Sequence, residues 1–306
     1  MKTIRGKKAL LTGAASGIGY ALALELAMAG ADLYLLDIDE EGLKKVKKEI
    51  LSTTDVEVHI LPCDLSDEEA ITKANQKIID SWGKIDLLIN NAGICYYGPA
   101  MNMTAKQWQK IVAVNLNAPI QMTHQWLPVL MRRPEAHIVN VASVFGLLAT
   151  RRCALYHATK FGLVGFSKAI RAEVGNQIGV STICPGMVRT NLFSNTPSGI
   201  KGKETPLPPT FISVSSEYVA KTIIKAIRKN RHLVVITWFA KLLFFTERFF
   251  PSVVLFLQWA GRKKGRLVLD ETRPAALNDL SGYIDQNRED PEKEFLKSSP
   301  SKELSH

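Results

Sequence analysis

The chain is short of residues that staple, ligate or span. Its 306 residues contain four cysteines, Cys63, Cys95, Cys153 and Cys184, widely spaced and without a C-x-x-C. That excludes a dense disulfide framework and, with no companion histidine pattern, a metal site. Isolated buried thiols in a reducing, intracellular compartment are the expectation. No uninterrupted apolar run reaches the roughly 20 residues a spanning helix needs. The N-terminus, with Lys2, Arg5, Lys7 and Lys8 ahead of ALLTGAASGIGYALALELAMAGA, has the outline of a secretory signal, but Gly13, Ser16, Gly17 and Gly19 break the apolar stretch. Acidic residues are scarce in one region. Between Lys221 and Arg273 stand twelve Lys/Arg against Glu247, Asp270 and Glu271, so nearly all of the net +10 sits there. Basic residues interleaved with Phe, Leu and Trp point to an anionic membrane surface rather than to nucleic acid.

What the chain does have is alternation. KALLT (8–12), ADLYLLD (31–37), VEVHILP (56–62), KIDLLIN (84–90), HIVNVAS (137–143), GVSTICPG (179–186) and HLVVIT (232–237) read as strands. Helical stretches separate them at 18–29, 40–51, 67–82, 104–132, 154–175 and 216–230. Strand and helix in alternation predict an α/β fold with a doubly wound parallel sheet of about seven strands. Right-handed crossovers then put the strands' C-terminal ends on one rim, where ligands bind. Thr12, Asp37, Asp64, Asn90 and Ser143 all fall at such ends.

The first strand runs through GAASGIG into an apolar helix. Gly13, Gly17 and Gly19 let the backbone approach a pyrophosphate, whose charge is favoured by free N–H groups at the helix start. Asp37, eighteen residues after Gly19, can accept hydrogen bonds from adenosine ribose hydroxyls and repel a 2′-phosphate. Neither the turn (Ala15, Ser16) nor the positions after Asp37 (Ile38, Asp39) hold a Lys or Arg. The charge pattern therefore favours NAD(H) over NADP(H).

Tyr156 and Lys160 stand at i and i+4 and project from one helix face. An ammonium beside a phenol favours the phenolate, and Ser143, thirteen residues before Tyr156, supplies a hydroxyl at a strand end. Such a set can take a proton from an alcohol, or give one to a carbonyl, while another group moves the hydride.

TGAASGIG, Asp37, Asp64, NNAG at 90–93, Asn115, Ser143, YHATK at 156–160 and PG at 185–186 with Thr190 together resemble the short-chain dehydrogenase/reductase family. The resemblance runs from about residue 5 to 237. It implies a Rossmann-type fold and hydride exchange between a nicotinamide and an alcohol or carbonyl. It assigns Tyr156 as general acid/base, Lys160 as the residue that binds the nicotinamide ribose and lowers the Tyr156 pKa, Ser143 as orienter of the substrate oxygen, and Asn115 as holder of a relay water. The cofactor-binding set it implies is Gly13, Ser16, Gly17, Ile18, Gly19, Asp37, Asp64, Leu65, Asn91, Ala92, Gly93, Tyr156, Lys160, Pro185, Gly186, Val188 and Thr190. It also implies a homodimer or homotetramer built on the helices starting near 104 and 154.

Around the expected substrate site lie Ser143, Tyr156, Cys95, Tyr96, Tyr97, Val144, Phe145, Leu147, Leu148, Met187, Leu192 and Phe193, without an arginine placed to grip a carboxylate or phosphate. A lipophilic secondary alcohol or ketone follows, of sterol, retinoid, long-chain acyl or sphingoid type. Residues 191–215, rich in Pro, Gly and Ser and without a period, read as a mobile lid. Beyond the dinucleotide-binding and catalytic domain (1–237), residues 238–266 form a hydrophobic helical extension that Lys241, Glu247, Arg248 and Pro251 interrupt. Trp238, Trp259 and the basic Arg262, Lys263, Lys264 and Arg266 suit a peripheral or monotopic attachment to the cytoplasmic face of a membrane. A polar tail (267–306) is expected to be disordered. Two rival readings are an NADP(H)-dependent carbonyl reductase and a non-catalytic dinucleotide-binding sensor or scaffold.

Overall fold

Seven of the strands join one parallel sheet. In a computed structural model, which describes residues 1–260 apart from Lys201, Lys203 and Pro208 and the side chains of Asn191, Leu255 and 257–260, the chain runs in this order. First come β1 (Lys8–Thr12), α1 (Gly17–Met28), β2 (Asp32–Asp37), α2 (Glu40–Leu51), β3 (Val58–Pro62), α3 (Glu68–Trp82) and β4 (Leu87–Asn90). Then follow α4 (Ala105–Val112), α5 (Ala118–Leu130), β5 (His137–Val141), α6 (Ala154–Val174), β6 (Gly179–Pro185), β7 (Met187–Val188), α7 (Asn191–Ser194), β8 (Ser213–Val214), α8 (Ser216–Arg228), β9 (Leu233–Ile236), α9 (Trp238–Phe249) and α10 (Pro251–Ala260). The polar tail and the basic cluster from Arg262 to Arg266 lie outside the described residues.

The sheet order is β3-β2-β1-β4-β5-β6-β9. The chain reverses direction of winding between β1 and β4, and the crevice outside their carboxyl ends is where such sheets bind ligands. Alternation along each strand feeds two cores. Ala9 and Leu11 of β1 join Leu22 and Leu26 of α1, Leu43 of α2 and Ile223 of α8 on one face. Leu10 joins Ile78 of α3 and Met122, Trp126 and Leu130 of α5 on the other. Both faces are therefore covered, as parallel strands require. Helix starts follow the capping chemistry. Asp39, Asp67 and Ser215 accept first-turn N–H groups of α2, α3 and α8, and Thr104 with Gln107 makes a reciprocal capping box on α4.

Two expectations need correction. The stretch 104–132 is not one regular helix, because Ala113–Asn117 between α4 and α5 widens into a π turn. That wider turn absorbs Pro119, which has no N–H for the helical ladder and whose ring would crowd the carbonyl four residues back. Residues 191–215 carry structure of their own: α7, a 3₁₀ turn at Thr210–Ile212, and β8, which pairs parallel with β7. Short elements of this size are too brief to show a period. Helix α9 also rests on the body of the protein, with Ala240 buried against Val144 and Leu148. Among the described residues no helix is long and apolar enough to cross a membrane.

Candidate functional site

The cradle begins where β1 ends. Thr12 Oγ1 accepts the backbone N–H groups of Asn91 (3.0 Å) and Ala92 (3.2 Å). Asn91 Nδ2 donates back to the carbonyls of Thr12 and Gly13, each at 3.0 Å. These four bonds tie the ends of β1 and β4 together at the point where the winding reverses. Gly13 turns there with φ +65, and a Cβ on it would meet Ala92 Cα at 2.7 Å. Only glycine serves at that position. Gly19 has a different task from the one predicted. A Cβ there would sit on the Gly13 carbonyl, so this glycine packs α1 onto the turn and does not line the cavity. Ser16, at the N-cap of α1, makes no side-chain cap bond, and the first turn holds no acidic residue, which leaves the helix N-terminus open to an anion.

Asp37 closes the far side of the turn. Its carboxylate accepts the N–H groups of Ala15 (2.9 Å) and Asp39 (3.1 Å), which fixes it at the rim of the turn. Asp64 accepts both the N–H and the hydroxyl of Ser66, and these bonds hold its carboxyl below the usual range. A cavity of about 510 Å³ runs from these groups to Tyr156. Every residue of the predicted cofactor set lines it except Gly19. The positive-φ glycine turn, the open helix start and the paired carboxylate fit a dinucleotide.

The reacting end lies at the other side of the same cavity. Ser143 and Tyr156 both line the cavity here, and Ser143 Oγ accepts the Phe145 N–H at 3.1 Å. Phe145 stands edge-on to the Tyr156 ring, with centroids 6.3 Å apart. Lys160, 2% exposed, lies 5.6 Å from the Tyr156 ring centroid and donates to the Val141 carbonyl at 3.0 Å. Burial dominates both titrations because it disfavours the charged form. It pulls Lys160 down to about 8 and pushes Tyr156 up, with the neighbouring Ser143 hydroxyl opposing the rise. Desolvation stands first among the influences on the phenol. The ammonium is turned toward a carbonyl.

Asn115 is fully buried inside the π turn, which supplies the local reason a poor helix former stands there. Its carboxamide accepts the Ile94 N–H and donates to the Ile94 carbonyl, both at 2.8 Å, and reaches Thr159 Oγ1 at 3.3 Å. The residue thus fixes the loop after NNAG against α6.

Of the expected substrate residues, Cys95, Tyr96, Ser143, Val144, Phe145, Tyr156, Met187, Leu192 and Phe193 line the cavity. Tyr97, Leu147 and Leu148 do not. Tyr97 instead pairs with the lid at Ser198, and Leu148 packs behind the site on Ala240. Three features escaped the sequence because they depend on contacts distant along the chain. His157 accepts the Thr150 N–H at Nε2 and donates from Nδ1 to the Phe145 carbonyl, so a neutral imidazole braces the loop that carries Phe145. Burial is the first reason its pKa is lowered. Cys153 and Cys95 share a small buried cluster with Tyr156. The lid is latched, since Gly199 donates to the Tyr97 carbonyl (2.8 Å) and its own carbonyl accepts from Asn102 (2.9 Å).

The latch gives a direct test. A Cβ on Gly199 would sit on the buried Tyr96 hydroxyl, with Tyr96 Cζ only 2.5 Å away. Gly199→Ala is expected to push residues 195–200 off the loop at 96–102 and to raise KM about tenfold or more through roughly 1–3 kcal/mol of overpacking. Steady-state kinetics check this, and an unchanged KM would show that the latch does not shape the substrate cavity.

Residues 7–201 match the family described as short chain dehydrogenase. Over 291 residues the chain is 28% identical to epidermal retinol dehydrogenase 2 of Homo sapiens, across 94% of this chain and 88% of that protein. Among solved structures it superposes on a short chain dehydrogenase/reductase from Burkholderia phymatum in complex with NAD, with a TM-score of 0.72, 25% identity, and 84% and 97% of the two chains covered. It also superposes on a metagenomic short-chain oxidoreductase in complex with NADP, with a TM-score of 0.64, 26% identity, and 76% and 96% covered.

Proposed function

We propose that this chain, which belongs to the short-chain dehydrogenase family and is an oxidoreductase acting on CH–OH groups, exchanges hydride between NAD(H) and a lipophilic secondary alcohol or ketone. The observation that carries this reading is the single cavity that joins the glycine cradle and Asp37 to the Ser143–Tyr156 hydroxyl pair through an apolar wall of Phe145, Leu192 and Phe193. When bound, a nicotinamide would supply the hydride acceptor or donor. Gly13, Gly17 and the start of α1 would hold its pyrophosphate, and Asp37 its adenosine ribose. Ser143 and Tyr156, both in the cavity wall, together would grip the substrate oxygen. At neutral pH the raised Tyr156 carries its proton and is ready to give it to a carbonyl. In the opposite direction it takes the alcohol proton, helped by the Ser143 hydroxyl and the Lys160 charge.

Asp37 supports NAD(H), because a carboxylate beside a 2′-phosphate is repelled and no Lys or Arg follows it. The relative solved with NADP supports the second reading, a reductase using NADP(H). A turnover screen in mixed micelles, with a sterol, retinol, a long-chain hydroxyacyl ester and a sphingoid base offered with each cofactor, separates them. Turnover with NAD(H) and a lipophilic partner supports the proposal. Turnover confined to NADP(H), or to small polar alcohols, overturns it.

Membrane attachment belongs to the same reading. Trp238, Leu242, Phe245 and Phe249 of α9, Phe250, and Val253 and Phe256 of α10 are exposed, with Lys241 and Arg248 among them and a basic run following in sequence. Apolar rings flanked by cations suit the interface of an anionic bilayer. The full chain is expected to float with vesicles containing phosphatidylserine, and a Phe245→Ser/Phe249→Ser variant to float less. Equal flotation of both would remove the helices from the account. A homo-oligomer would use Trp108 of α4 and Phe161 of α6, both about two-fifths exposed.

A further inference from the structure

Tyr96 carries a hydroxyl that no other group of the protein answers. The residue follows the NNAG end of β4, is 4% exposed and lines the substrate cavity. Its hydroxyl oxygen is buried and has no hydrogen-bond partner among the described residues. Burial raises its pKa, so at neutral pH the group keeps its proton and is a donor without an acceptor. Among the described residues three other buried side-chain atoms share that state, Asn90 Oδ1, His137 Nδ1 and Thr182 Oγ1. Those three stand in strands β4, β5 and β6, where the sheet fixes them. Tyr96 stands in a loop, directly under the lid.

What covers the hydroxyl is glycine backbone. A Cβ on Gly98 would come within 3.0 Å of it, and one on Gly199 would sit on it. Gly199 belongs to the lid, which closes over Tyr96 by a short ladder. The Tyr97 N–H donates to the Pro197 carbonyl at 3.2 Å, and the Gly199 N–H donates to the Tyr97 carbonyl at 2.8 Å. Asn102 Nδ2 clasps the Gly199 carbonyl at 2.9 Å. Arg152 holds the other side of this loop. It donates to the Tyr97 hydroxyl at 2.9 Å, and its carbonyl accepts the Gly98 N–H at 2.8 Å. The lid side of the latch therefore makes three hydrogen bonds and shuts one polar group away from water. Each bond contributes modestly, because water offers the same groups partners when the lid is open. The sealed donor works against closure by a factor of about 5 to 30, which is a large part of what the three bonds supply.

We infer that Tyr96 is a positioning residue that acts through the lid: its unanswered hydroxyl keeps the Gly199 latch weak enough to open for substrate entry and product release. Lifting residues 197–199 off the loop at 96–102 returns the hydroxyl to water, where its donor is satisfied. A phenylalanine at this position has the same ring and nothing to hydrate, so its closed lid is favoured by that factor of about 5 to 30. A tyrosine that anchored the lid would act in the opposite sense. The sign of the effect decides between the two.

The test reads hydrogen exchange at the backbone N–H groups of Gly199 and Tyr97 by NMR, in the full chain without substrate. Exchange there proceeds by local opening of the latch, so its rate follows the open fraction. Tyr96→Phe is expected to slow exchange at both groups by about 5- to 30-fold. Asn102→Ala, which removes the clasp on the Gly199 carbonyl, should speed it, so the two changes move one readout in opposite directions. Unchanged or faster exchange in Tyr96→Phe would overturn the inference, because a hydroxyl that anchors the lid, directly or through a water, loosens the latch when it is removed. This measurement needs no turnover and stands whether or not the proposed substrate class is right. A second measurement rests on the proposed function. With any substrate the enzyme turns over, Tyr96→Phe should lower KM and kcat together, as lid opening comes to limit release. A raised KM would overturn the inference.

Discussion

Tyr156→Phe is expected to lower kcat/KM by about 10²- to 10⁴-fold, the range spanned by a positioned general acid or base. Phenylalanine keeps the ring that stands edge-on to Phe145 and removes only the hydroxyl. The cavity wall and the glycine cradle are untouched, so affinity for NAD(H), read by quenching of protein fluorescence, should stay at the value of the unmodified chain. The split between the two measurements matters. Loss of turnover with intact cofactor binding places the proton transfer on the phenol. Retained turnover would mean that Ser143 or a solvent path carries the proton, and loss of both would mean that the variant has disturbed the site.

The second large effect concerns stability as well as activity. Lys160 is buried, and its amine is pulled from 10.5 down to about 8. Below pH 8 both folded and unfolded chains carry the ammonium, and the fold bears the full burial cost, about 3 kcal/mol at 1.36 kcal/mol for each unit. Between about 8 and 10.5 the unfolded chain binds more protons than the folded one, so stability rises with pH and the cost disappears. Lys160→Met removes the charge while filling much of the same volume. It also leaves the Val141 carbonyl without its donor, at roughly 1–3 kcal/mol. The variant should therefore be inactive yet no less stable than the parent at pH 7, and its standing relative to the parent should fall by about 2 kcal/mol between pH 7 and pH 10. Urea unfolding at the two pH values measures this. A difference that does not change with pH would show that Lys160 is not held with a depressed pKa.

Much of this site was legible because its parts are local in sequence. The glycine turn, Asp37 eighteen residues later and the Tyr156–Lys160 turn are each set by short spacing, and strand alternation was enough to place Thr12, Asp37, Asp64, Asn90 and Ser143 on one rim. What stayed hidden was set by contacts between distant segments. The direction of Lys160 toward Val141, the embrace of Ile94 by Asn115 and the bracing of Phe145 by His157 each join residues that no local period connects. The same holds for the cluster that Cys95 and Cys153 share. Wide spacing alone implied isolated thiols, and only the approach of the β4 end to the start of α6 brings them together. The π turn had a partial signal, since Asn115 and Pro119 are both awkward in a helix, but neither says which way the ladder gives.

The central claim is hydride exchange at a hydroxyl-bearing carbon, with Tyr156 moving the proton, in a cavity built for an apolar partner. Nicotinamide absorbance followed while the full chain meets the lipophilic alcohols in mixed micelles, in parallel with Tyr156→Phe, tests it most directly. The account predicts reduction of NAD by the parent chain with at least one of them and none detectable with the variant. Cofactor binding without turnover across alcohols and ketones, or equal turnover by parent and variant, would contradict it.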